Sequence, residues 1–403
     1  MSASLAQVLR EHGQAYLHTH ELSVAQARVW RAIVACRTPA LGGQLRQCDG
    51  CGVVQPLWHA CRNRHCPSCQ TRQRDAWRQA RMAELLEVPY THVVFTLPHE
   101  INALARSQLR WTAGTLLACA AATLSEMAAD PRWLGATPAM TLVLHTWTQD
   151  LRLHLHVHAL VSCGGLTKDG QWKTPSRSAR FLFPVQALSR VFRGKFMAEL
   201  RQAEEAGRLR HDPQAAQRQE RRAALWRQDW VVYAKTPLAG PAAVLDYLSR
   251  YTHRTAIGNE RIVAVGPDAV RIRVRDREHP GAGKRTIALA PERFIGRFLQ
   301  HVLPLGLKRI RHYGLLASAV KASRLADARQ ALNMPAPNAV AREQAAEFMR
   351  RVAALEIERC TTCNSGRWLL RQALPPERTR ALWCRSSRCA TSPPARAPPT
   401  ETR

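Results

Sequence analysis

Three histidines occupy alternate positions in "HLHVHALVSCGG" (154–165): His154, His156 and His158. Side chains two apart on a strand share a face, so the pattern predicts a sheet face carrying a ladder of imidazoles. A neutral imidazole is a metal ligand and also a proton carrier near neutral pH. Three uses are open from the residues alone: a hydrogen-bonded polar strand, a hydrolytic zinc site, or a divalent cation that polarises a phosphate. No H-E-x-x-H motif or nearby carboxylate pair supports the second. The third needs a nucleophile, and "DYLSRYTHR" offers one. Tyr247 and Tyr251 are four apart, so both phenols project from one side of the helix expected there. Two core aromatics would give the same spacing, but only six tyrosines occur in the whole chain.

The cysteines carry a second chemistry. Twelve are present, six of them between Cys36 and Cys69 and four between Cys360 and Cys389. "CDGC" and "CPSC" are C-x-x-C knuckles, and Cys48, Cys51, Cys66 and Cys69 together fit a tetrahedral four-thiolate zinc site. Such a site is closed, hence structural. Gly50 and Gly52 suit its tight turns. Cys61 and His65, in "HACRNRHCPSC", could replace a knuckle member, build a second site or pack beside the ion. Arg62 and Arg64 among the thiolates point to a module that grips DNA. "CTTCNSG" (Cys360, Cys363) resembles a third knuckle, which Cys384 and Cys389 could complete; reduced surface thiols are the other reading.

These groups need elements to hold them. Residues 1 to about 46 read as helices, and 71–88 as a basic helix leaving the cysteine cluster. "YTHVVFTL" (90–97) is a strand closed by Pro98, and 99–130 is helical. Strands at 140–149 and 154–162 are close enough to form a hairpin. The stretch 186–228 is expected to be helical and exposed, and 230–235 a strand. Pro241 opens a helix. "RIVAVGPDAVRIRVRD" is a hairpin turning at Gly266–Asp268, and "RFIGRFLQHVL" is a helix. The expected class is α+β, with an N-terminal zinc-ribbon-like module followed by an antiparallel sheet flanked by helices. Expected domains are 1–89, 90–320 and 321–403, the last ending in a Pro-rich, disordered tail.

Composition limits the partners. The 403 residues hold 59 Lys+Arg against 30 Asp+Glu, a net charge of +29. Such an excess points to a polyanion, and nucleic acid is the obvious one. No run of about 18 apolar residues suggests a membrane span, and the N-terminus lacks a signal-peptide core. A cytoplasmic, nucleoid-associated protein with no membrane contact is expected.

A His-hydrophobe-His strand upstream of a Y-x-x-x-Y helix, with an N-terminal cysteine-rich region, resembles the two-tyrosine HUH rolling-circle transposases of bacterial insertion sequences (the insertion sequence ninety-one type). "CRNRHCPSCQ", "HVVFTLPHE", "LHTWTQ", "HLHVHALVSCGG", "WVVYAK", "YLSRYTHRTAIGNERI" and "RIRHYGLLA" carry the resemblance in order, over most of the chain. It implies an HUH-type domain in which His156 and His158 bind Mg²⁺ or Mn²⁺, with His154 an extra histidine on the same face. A third ligand, at the offset used by related replication initiators, falls on Gln149, with His145 as its competitor. Tyr247 and Tyr251 would be the nucleophiles, forming a covalent 5′-phosphotyrosine bond. The implied partners are single-stranded DNA at the element ends and target DNA. A host helicase is also implied, since no G-x-x-x-x-G-K-[ST] loop occurs. A plasmid or phage replication initiator or relaxase would use the same chemistry. A non-catalytic, zinc-dependent DNA-binding regulator is the rival from another class.

Overall fold

The computed structural model describes residues 3–175, 182–209, 211–234, 256–276, 283–337 and 343–377. These divide into one unit built from residues 1–34 and 61–355, and a smaller one built from 35–60 and 356–403. The boundaries expected at 89 and 320 are not those of the two units. Strand pairing between distant segments draws different ones.

In the smaller unit, β1 (Gly43–Cys48) and β2 (Val54–Trp58) form a hairpin around the first knuckle. The unit's third strand is β13 (Trp368–Leu374), antiparallel to β1, so the order is β13-β1-β2. The helices expected up to residue 46 end earlier, at Ala35. Gly43 onward is recruited into the sheet, a case of tertiary pairing overriding local preference.

The larger unit is built on a five-stranded antiparallel sheet. Its strands are β3 (Tyr90–Thr96), β4 (Ala139–Trp147), β5 (Leu153–Ser162), β8 (Val232–Ala234) and β12 (Ile310–Gly314), in the order β12-β4-β5-β3-β8. A short ribbon, β6 (Gly165–Leu166) with β7 (Trp172–Lys173), follows β5. A separate three-stranded sheet comprises β9 (Ile262–Val265), β10 (Val270–Arg275) and β11 (Lys284–Leu289). Period-two alternation gives the central sheet two unlike faces. Val93, Phe95, Leu142, Leu144, Leu155 and Val157 share one core cluster with residues of the helices Leu109–Ala129 and Val185–Glu205. Each such side chain, fully buried, stabilises the fold by about 1.5–3 kcal/mol. The histidines lie on the opposite face.

Two expectations change here. The stretch from 186 was expected to be exposed, yet Leu188, Phe192, Phe196 and Leu200 recur every four residues and bury one side of their helix. It also breaks, resuming as the helix Arg218–Arg227. The helix Leu109–Ala129 has the length and hydropathy of a membrane span, but Leu116, Leu117 and Leu124 are wholly buried in the core. The class is α+β, as expected, with an N-terminal cysteine cluster and a helix-flanked antiparallel sheet.

Candidate catalytic site and metal centres

Register decides which histidines meet. On β4 and β5, His145 stands directly opposite His156, and Val143 opposite His158. Directly opposed residues in an antiparallel pair bring their Cβ atoms to about 5 Å. His145, His156 and His158 accordingly each offer a ring nitrogen within 4.8 Å of the other two. Ring centroids are 5.3 Å apart for His145 and His156, 4.4 Å for His145 and His158, and 5.0 Å for His156 and His158. His154 continues the ladder, its centroid 5.2 Å from that of His156, but it is not one of the three. Gln149, the expected third ligand, lies in the hairpin turn beyond the last paired residues, Trp147 and Leu153. Its backbone carbonyl accepts a hydrogen bond from Arg261. The residue across from "HVH" is His145, because facing is set by register and not by sequence offset.

The rings are oriented from behind. His156 Nδ1 lies 3.0 Å from the His154 carbonyl; donating there leaves Nε2 with the lone pair a cation needs. His158 Nδ1 lies 2.9 Å from Nε2 of His92, a buried residue on β3. Burial, with repulsion from His154, holds His156 down at about 4, against the usual 6.5. Burial and the neighbouring His145, His156 and His92 push His158 down further. Both are therefore neutral at pH 7, the ligating form.

The hairpin turn is clamped by the segment around the helix Pro291–Leu299. Buried His301 accepts from the Thr146 hydroxyl at Nδ1 (3.1 Å) and donates from Nε2 to the Leu151 carbonyl (3.0 Å). Arg297 donates to the Asp150 carbonyl at 2.7 Å. Leu151 sits at φ +63°, a left-handed conformation that only such fastening makes tenable for a leucine. Sequence reasoning missed His92 and His301; each stands alone in an otherwise ordinary strand or helix pattern.

The cysteines do not group as expected. Cys48, Cys51, Cys66 and Cys69 were expected around one ion, but Cys48 and Cys51 meet Cys360 and Cys363 within the smaller unit. All four sulfurs lie within 4.8 Å of one another, with Cys48 Sγ 3.6 Å from Cys363 Sγ and Cys51 Sγ 3.8 Å from Cys360 Sγ. The cause is the β1–β13 pairing, which seats Trp368 beside Cys48 and so brings the "CTTC" turn against the "CDGC" turn. Backbone N–H groups of Gly50, Cys51, Thr362 and Gly366 point at the sulfurs from 3.3–3.4 Å. Hydrogen bonds from the Ser365 side chain and the Gly366 backbone hold the Cys363 thiol down at about 5. A Cβ on Gly366 would lie 2.4 Å from Cys48 Sγ, so only glycine allows this closure. A closed, thiolate-only donor set with amide-supported sulfurs fits structural zinc.

Cys66 and Cys69 belong to the larger unit, where Cys61 joins them; Cys61 Sγ is 3.6 Å from Cys69 Sγ. His65 is not grouped with these sulfurs. Its Nδ1 lies 3.3 Å from Asn63 Oδ1, and the ring lines a small cavity with His301 and Arg309. Burial, with repulsion from Arg64 and Arg309, holds it down at about 3. Tyr247, Tyr251, Cys384 and Cys389 lie outside the described residues.

A basic chain with cysteine clusters and an imidazole-bearing sheet is the kind of protein that handles DNA, and comparison with known proteins makes the class specific. Residues 8–97 match the family described as "Transposase zinc-binding domain", and residues 139–324 the family described as "Putative transposase". "Putative transposase y4qJ" of Sinorhizobium fredii (strain NBRC 101917 / NGR234) is 42% identical over 376 residues, covering 91% of this chain and 94% of that protein. "Transposase for insertion sequence element IS801" of Pseudomonas savastanoi pv. phaseolicola is 27% identical over 340 residues, 83% of this chain and 80% of that one. The chain belongs to this family, the insertion sequence ninety-one type of transposase. Its substrates are DNA, and the family's work is DNA cleavage and rejoining. No solved structure matches it.

Proposed function

We propose that this transposase nicks and transfers single-stranded DNA through covalent tyrosine–phosphate intermediates, by a rolling-circle route. The observation that carries the reading is the convergence of His145, His156 and His158 on one face of the central sheet, in a chain of this family. These three imidazoles would hold Mg²⁺ or Mn²⁺. Such a cation, when bound, supplies charge stabilisation at a scissile phosphate.

Tyr247 and Tyr251 supply the nucleophiles. A phenol with a pKa near 10 attacks slowly at pH 7 unless its developing phenolate is stabilised. The phenolate oxygen bonds to phosphorus as the bond to the 3′ oxygen of the preceding nucleotide breaks. That oxygen leaves as a free 3′ hydroxyl, and the 5′ end stays attached to tyrosine. The linkage keeps the phosphodiester energy, so a second strand end can be joined without ATP. A second tyrosine allows another cleavage while the first end is still held. Host helicase or replication proteins would supply the unwound strand. The Cys48, Cys51, Cys360 and Cys363 sulfurs would hold a structural zinc.

The test is incubation with single-stranded element ends and Mn²⁺, followed by denaturing electrophoresis. A covalent protein–DNA adduct is expected from the native chain. Tyr247→Phe and Tyr251→Phe should each retain some nicking and lose strand transfer, and the double variant should form no adduct. Phenylalanine keeps the ring, so the loss reports the hydroxyl. An adduct of undiminished yield from the double variant would remove both tyrosines from the chemistry.

A further inference from the structure

The sheet β11-β10-β9 lies outside the site described above, and its two faces differ in kind. Along β10 the pattern is strict: Val270, Ile272 and Val274 are buried, while Arg271, Arg273 and Arg275 are exposed. Across the ladder, Arg275 pairs with Lys284, Arg273 with Thr286 and Arg271 with Ala288, all exposed. The outer face is therefore a row of cations, extended by Lys284 on β11, with the small side chains of Thr286 and Ala288 beside Arg273 and Arg271. None of Arg271, Arg273, Arg275 and Lys284 pairs with a carboxylate among the described residues. Arginines elsewhere do: Arg221, for example, is bonded to Asp212 and Glu204.

We propose that this face is a track for the phosphate backbone of single-stranded DNA, with Arg271, Arg273 and Arg275 each taking a phosphate. Alternate residues on a strand are about 6.7 Å apart, twice the rise per residue. That is close to the spacing of successive phosphates in an extended single strand. Guanidinium forks match phosphate oxygens bidentately. The small neighbours, Thr286 and Ala288, let a backbone lie close to the sheet. Among the described residues, the cross-strand neighbours on β11 are Lys284, Thr286 and Ala288, none of them aromatic, so these contacts hold the strand without regard to sequence. It is also fastened to the candidate catalytic hairpin. Arg261 donates from Nε to the Arg273 carbonyl (3.0 Å) and from its other end to the Gln149 carbonyl, in the turn between β4 and β5. A strand lying on the arginines is thereby held by an element tied to the one that carries His145, His156 and His158.

This proposal rests on the reading of single-stranded DNA as substrate, but not on the tyrosine chemistry, and it is tested without cleavage. Binding of a fluorescent single-stranded oligonucleotide to the full chain, followed by anisotropy from about 0.1 to 1 M salt, reads both affinity and its salt slope. Each phosphate neutralised on a single strand contributes about 0.7 to the slope. The triple variant R271A/R273A/R275A should lower the slope by about 2, which is about a hundredfold in affinity over that tenfold range of salt. Thr286→Glu, which leaves every arginine in place, should also weaken binding by introducing a negative charge beside Arg273. An unchanged thermal midpoint in both variants shows that the fold survives. An unchanged single-strand slope in the triple variant overturns the proposal. So does a loss confined to duplex DNA, which would reassign the face to double-stranded target.

Discussion

At the scale of single residues, the candidate site turns on which group faces the "HVH" pair. The alternating imidazoles were legible because period two is a local property of the chain. The third group was not, because a register is fixed by two strands and a turn together, and the bulge between His145 and Trp147 shifts it further. His145→Ala should abolish Mn²⁺-dependent nicking as completely as His156→Ala or His158→Ala. Gln149→Ala should stay within a few-fold of the native rate. Adduct yield against Mn²⁺ concentration checks this, and a dead Gln149→Ala beside an active His145→Ala would restore the glutamine as ligand. In each histidine variant single-strand affinity should hold, since phosphate contacts by arginine supply most of it.

At the scale of elements, four of the five strands of the central sheet, the clustering of cysteines and the α+β class could be read from pattern; the edge strand β12 (Ile310–Gly314), half-buried along its length, was not among the expected strands. The partner of the first knuckle could not. Cys51 and Cys360 are 309 residues apart, and no local spacing rule spans that gap. The C-x-x-C pair Cys66 and Cys69 groups with Cys61 and not with Cys48 and Cys51. Removing one ligand of a structural zinc site releases the metal and the folding energy tied to it. Cys360→Ser should therefore cost about one zinc per chain and raise hydrogen exchange in β1 and β2, over 300 residues upstream in sequence. Metal analysis with exchange mass spectrometry reads both. Protection of residues 43–58 unchanged in that variant would separate Cys360 from the β1–β2 knuckle.

At the scale of the whole molecule, buried neutral histidines tie stability to pH. Burial holds His301 and His312 down at about 4, against 6.5 in an unfolded chain. Their folded values are depressed, so the stability they contribute is present above pH 6.5 and is lost as pH falls through about 4. For one group a displacement of that size is on the order of 3 kcal/mol. Unfolding midpoints should drop steeply between those limits, and less steeply for His301→Gln; parallel curves would show that His301 does not titrate in this window. The net charge of +29 adds repulsion at the acid end. The smaller unit has a different consequence, one of timing. Its first knuckle leaves the ribosome early, yet its partner is made 309 residues later, roughly 15 to 60 s at ordinary synthesis rates. Through that interval the newly made thiols at 48 and 51 have no partners from 360 and 363. A chain cut short anywhere before Cys360 never completes this cluster, so its closure reports that translation has passed residue 363.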